Sequence, residues 1–274
     1  MNAIVMTSDL RWSAIAEAAL RNAARFWFVV AASGQLMLVA YIAAFYGRAA
    51  ARGDLQAWNK VLPHGYVAGD TVGNAALVAH ILLAAIITLG GVLQLIPQIR
   101  THAPVFHRWN GRVYIVTAFV ASLTGFYMVW FRGTVGDFTQ HFAISINALL
   151  IMLCAAMALR YALARDFRMH RRWALRLFLV VSGVWFFRVG LMFWVAVNKG
   201  PVGFDPKAFE GPFLSFLSFA QYLLPLAVLE LYLRAQDRGS ATGRFAVAGL
   251  IGVLTIAMGI GIVVATMGMW LPRM

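Results

Sequence analysis

Seven long apolar runs alternate with short polar stretches along this chain, near residues 26–46, 75–97, 111–131, 142–164, 173–197, 213–234 and 245–269. A helix needs about 20 apolar residues to cross the hydrocarbon core of a bilayer, and each run is long enough. The pattern predicts an all-α polytopic membrane protein with seven transmembrane helices over 26–274 and a central four-helix bundle over 75–197. Pro97 closes the second run. The third helix is expected to start ahead of its apolar run, at Pro104, because proline suits the first helical turn. Pro225 is expected to kink the sixth. Residues 8–25 read as an amphipathic helix lying on the membrane surface, so 1–25 form a cytoplasmic N-terminal segment. Asp9, Arg11, Glu17 and Arg21 interrupt that segment, and no cleavable signal peptide is expected.

Composition agrees with the pattern. The chain has 274 residues, 62% of them hydrophobic and 12% charged, and a mean hydropathy of +0.76. Soluble domains carry about 25% charged residues. The net charge of +13 does not imply nucleic acid, because the basic residues sit between apolar runs instead of on an amphipathic surface. The bilayer is the expected partner. Cys154 is the only cysteine. It excludes an intrachain disulfide and a covalent CxxCH haem site. The connections on one side are the richer in arginine: Arg100, Arg108 and Arg112, then Arg165, Arg168, Arg171 and Arg172. By the positive-inside rule the N-terminus is cytoplasmic and the C-terminus outside.

Four histidines carry the candidate chemistry. His80, His107, His141 and His170 each open one of four consecutive spans, so they fall alternately on the two membrane faces. His80 and His141 lie on the outer side, His107 and His170 on the cytoplasmic side. The two levels are on the order of 20 Å apart. One metal ion cannot span that distance, but two bis-histidine sites can form, as for two b haems. The residue four positions after each histidine is small (Ala84, Gly111, Ser145 and Ala174), which would leave room for a planar macrocycle on that helix face. Small residues also let membrane helices approach closely. Arg108, Arg112, Arg171 and Arg172 suit haem propionates, or equally lipid phosphate. Arg188 lies about 27 Å along a straight fifth helix from His170 and suits an outer propionate or a substrate anion. Gln35, Gln94 and Asn147 read as interhelical hydrogen-bonding groups, and Glu230 as the partner of a cytoplasmic-side arginine.

Residues 80–188 resemble an uncharacterised bacterial membrane family known only as a domain of unknown function. The likeness rests on Leu95-Ile96-Pro97, Arg100, the run from His107 to Tyr114, Gly125, and His170-Arg171-Arg172-Trp173 with Arg176. The histidine layout more loosely resembles cytochrome b561, a helical bundle with two b haems. That resemblance implies the pairs His80 with His141 and His107 with His170, and transmembrane electron transfer in the bacterial inner membrane. That family usually has six spans and often an ascorbate site; here seven are expected, with no ascorbate motif. Quinone or another small reductant is the expected donor. Two other classes stay open. One is a zinc-dependent enzyme or receptor built on His102, His107 and His170. The other is a transporter or structural protein without cofactor. A retinal protein is disfavoured because Lys60, Lys199 and Lys207 all lie in loops.

Overall fold

The computed structural model describes residues 2–62 and 65–274, with side chains from residue 11 onward. Its main helices are α1 (Asn2–Tyr41), α2 (Thr71–Leu95), α3 (Pro104–Tyr127), α4 (Phe138–Leu163), α5 (Phe167–Val181), α6 (Gly183–Asn198), α7 (Pro212–Arg238) and α8 (Ala241–Ala265). Their starts follow from local chemistry. Asp70, Asp137, Asp166 and Ser240 each accept a hydrogen bond from an orphan backbone N–H of the first turn. Pro104 and Pro212 open α3 and α7. Pro97 follows the end of α2 and opens the one-turn helix Pro97–His102.

Six helices are long and apolar enough to cross a membrane, and α5 with α6 makes a seventh span if the bent pair is one. Contacts at its two ends show that it runs the length of the bundle. Arg172 at its start pairs with Asp237 at the end of α7. At its finish Trp194 stacks on Phe213 at the start of α7, with ring centroids 4.3 Å apart. Large apolar side chains such as Leu82, Leu123, Leu149, Val253 and Ile256 face outward. Water would not tolerate that surface over a whole bundle, whereas lipid does.

Two features differ from the sequence expectation. The N-terminal segment is not a separate surface helix joined to a span by a turn; α1 runs unbroken for 40 residues, about 60 Å. That is twice the thickness of a hydrocarbon core. The fifth span is not straight: α5 and α6 meet at Ser182 at 53°. The break is held from outside the helix. Gln35 Nε2 on α1 donates to Ser182 Oγ (2.9 Å), and Asn147 Nδ2 on α4 donates to the Val180 carbonyl (3.1 Å). Neither partner is near in sequence, so the apolar run gives no hint of the bend.

The chain closes on itself. α1 packs along α8, which packs along α6, and Gly34 lets Trp185 and Ile262 approach its backbone closely. α2, α3, α4 and α5 follow one another around the other half, each in contact with the next. Three helices end in π-type turns at the same end of the bundle: Ile42–Gly47 after α1, Met128–Arg132 after α3 and Thr266–Trp270 after α8. Such turns are rare and recur at functional sites.

Candidate functional site: histidines at the two ends of the bundle

At the arginine-rich end of the bundle, the expected inner side, α2 and α3 are joined by two amides. Gln94 Nε2 donates to the His107 carbonyl (2.8 Å) and Asn110 Nδ2 to the Gly90 carbonyl (2.9 Å). These bonds fix the first turn of α3, from which His107 projects. Its Nδ1 is buried with no hydrogen-bond partner. His170, in the first turn of α5, lies within electrostatic range of His107. His170 Nδ1 sits 2.9 Å from the Ala158 carbonyl on α4. A carbonyl only accepts, so Nδ1 carries a proton, and in the neutral ring Nε2 keeps its lone pair. This is the arrangement by which metal-ligating histidines have their tautomer fixed.

The neighbouring arginines divide. Arg172 pairs with Asp237, and Arg168 approaches the same carboxylate at 3.6 Å. Arg176 bonds Glu230 at 2.6 Å and lies 4.9 Å from the Trp173 ring centroid. Glu230 thus has the inner-side arginine partner expected of it. Arg112 stacks on Trp109 at 4.7 Å, while Arg108 and Arg171 are exposed. Among the described residues these three have no carboxylate partner.

At the outer end, His80 and His141 are placed differently. His80 Nδ1 lies 3.1 Å from Thr124 Oγ1. That hydroxyl directs its own proton at the Val120 and Ala121 carbonyls, so it accepts from His80 and leaves Nε2 unprotonated. Gly125 leaves room for the ring: a Cβ there would sit 3.7 Å from His80 Cε1. His141 instead uses Nε2, 3.2 Å from Thr134 Oγ1, with its ring edge-on to Trp130. Thr124 and Trp130 are six residues apart, about 9 Å along α3 and its π-type end. Among the described residues no hydrogen bond or ring contact joins His80 to His141. No hydrogen bond or ring contact among the described residues joins His107 to His170 either; they share one end of the bundle, and the outer pair flanks α3 at two heights.

The sequence reading missed the surroundings of Arg188. Arg188 donates to the Val184 carbonyl (3.2 Å), and no carboxylate lies within ion-pair distance among the described residues. His80, Tyr41 and Tyr46 lie within electrostatic range of it. The Tyr41 hydroxyl and the Trp270 indole N–H, on rings 6.5 Å apart, are both buried without partners. The spare groups here are donors. The available signal was the density of aromatic residues at the ends of the first and last runs.

Two expectations about neighbours change meaning. Gly111 faces Gln94 of α2, and Ser145 Oγ accepts from Trp130 Nε1 at 2.9 Å. At those two positions the small residue serves helix packing. For a zinc site, three protein ligands are needed; among the described residues no group of three His, Cys, Asp or Glu side chains gathers. His102 is turned back onto Thr101 and the Gln98 carbonyl of its own short helix. His64 lies outside the described residues.

No curated protein and no solved structure matches the chain. Residues 77–207 match the model of a family described as "Predicted membrane protein (DUF2306)". The matched segment runs from within α2 to the loop after α6 and holds the four candidate histidines and Arg188.

Proposed function

We propose that this chain is a transmembrane electron carrier of the b-haem type, with His107 and His170 as the ligands on the inner side. The supporting observation is the His170–Ala158 bond, which in the neutral ring puts the proton on Nδ1 and turns Nε2 to a ligand, at the same end of the bundle as His107, whose buried Nδ1 has no partner. Haem b held by two histidines supplies one-electron exchange with no open iron position. The chain's own contribution is positional. Ala158 holds the His170 tautomer, Gln94 anchors the turn carrying His107, and the Arg176–Glu230 pair anchors α5 against α7.

His80 and His141 form the outer half of the same proposal. His80 is ready, because Thr124 leaves its Nε2 unprotonated. His141 has to leave Thr134 and turn inward. Arg188 with the Tyr41 and Trp270 donors suits an oxygen acceptor, either a haem propionate or the carbonyl of a quinone. The arginine bias supports a cytoplasmic N-terminus and placement in a bacterial inner membrane. A cofactor-free transporter is the second reading, favoured by the break at Ser182.

The test is a dithionite-reduced minus oxidised spectrum of detergent-purified protein, with haem quantified per chain. Sharp low-spin b bands and haem near two per chain are expected. A colourless protein from cells well supplied with haem overturns the proposal.

A further inference from the structure

Midway along the bundle, three amide side chains surround the break between α5 and α6. Gln35 is 1% exposed, Asn147 5% and Gln221 4%. The orientation of each is fixed by its partner. Gln35 Nε2 faces Ser182 Oγ, whose proton is directed at the Phe178 carbonyl. Asn147 Nδ2 faces the Val180 carbonyl, and Gln221 Nε2 the Ser218 carbonyl at 2.8 Å. In every case the partner accepts, so the amide nitrogen donates and the oxygen is what remains. Gln35 Oε1, Asn147 Oδ1 and Gln221 Oε1 all lack a hydrogen-bond partner.

Asn147 and Gln221 converge on Gly183. A Cβ at that residue would lie 2.8 Å from Asn147 Nδ2 and 3.5 Å from Gln221 Oε1. Pro225, four residues after Gln221, has no N–H to give, so the Gln221 backbone carbonyl also loses its helical donor. An unmet acceptor costs several kcal/mol in a membrane interior. Here three helices each bring an amide with an unmet, uncharged oxygen to the border of one break.

We infer that Asn147, Gln221 and the break at Ser182–Gly183 form a binding site for a small monovalent cation, with Gln35 completing it from α1. Neutral carbonyl oxygens replace the hydration shell of alkali cations in membrane proteins. Interrupted helices near the midplane expose such oxygens to coupling ions. A divalent ion is disfavoured because sites for calcium or magnesium use carboxylates, and none lines this one: Glu230, on the same helix as Gln221, is bonded to Arg176. The inference is independent of the haem reading.

The experiment uses full-length protein in detergent, melted in sodium chloride or choline chloride at equal ionic strength. A saturable, sodium-specific rise in Tm is expected, about 5 °C at a hundredfold excess over the dissociation constant. Gln221→Leu removes one oxygen at similar volume and should abolish the rise. Gln221→Glu keeps the oxygen, adds charge and should shift the sodium midpoint at least tenfold lower, a gain that a mere packing role would not give. His107→Ala should leave the rise unchanged, which separates this result from the fate of the haem proposal. Equal melting in sodium and choline, with Gln221→Glu no different, overturns the inference and leaves the amides holding water only.

Discussion

At the inner end of the bundle, Arg172 and Arg176 each meet a carboxylate on α7. At the outer end, Arg188 has a single backbone carbonyl, and the groups around it are phenols, indoles and an imidazole. Of the inner histidines, His170 is tied to a backbone carbonyl; the outer ones each lean on a threonine hydroxyl at a different height. A backbone carbonyl of a packed helix hardly moves, whereas a hydroxyl rotates. The inner end is thus preorganised, and the outer end is adjustable around an unpaired positive charge. An unpaired charge in a membrane is costly and marks function.

The difference can be broken or sharpened by substitution. The largest expected effect is from His170→Ala, which should remove one of the two haems with the bundle still folded, read as halved absorbance per chain. Unchanged spectra would show that the ligand assignment is wrong. His141→Ala should remove only the outer haem, and Thr134→Val should tighten it, since His141 is then free to turn. Next is Arg132→Ala. This guanidinium has a side chain only 6% exposed and ties the outer loop together through the Gly73 carbonyl, the Gly65 carbonyl (3.0 Å), Asn74 Oδ1 (2.7 Å) and Asp70 (3.7 Å). Its loss should cost about 3 kcal/mol, measured by denaturant titration, and should expose residues 61–74 to protease. Smaller is Glu230→Gln, which breaks a half-exposed pair and should cost on the order of 1 kcal/mol by the same titration. The smallest is Thr124→Val: His80 keeps its position beside Gly125 but loses its proton acceptor, and outer haem affinity should fall about threefold in a haem titration.

Much of the fold was legible because the features that start a helix are local. Pro104 and Pro97 mark their boundaries in the sequence, and Gln35, Gln94 and Asn147 stand out as polar residues in apolar runs; all three make the interhelical bonds expected of them. The bend was not legible because Ser182-Gly183 is unremarkable by itself and is set by groups over thirty residues away. The charges at Asp9, Arg11, Glu17 and Arg21 were read as a helix turned along the surface, yet the same charges suit one extending straight out of the bilayer. Helical spacing placed Gly111 and Ser145 on the histidine side of their helices. It could not show that Gln94 and Trp130 would occupy the space in front of them.

The pairing of α1 with α8 joins two helices separated by about two hundred residues of chain. Until Ala241–Ala265 has entered the bilayer, the face of α1 that carries Gly34 meets Trp185 of α6 but lacks its cover from Ile262. That seam therefore closes only after spans α1 to α7 have been made. A chain halted before residue 241 would present that partly open seam to the membrane's quality-control proteases, and α8 is what hides it.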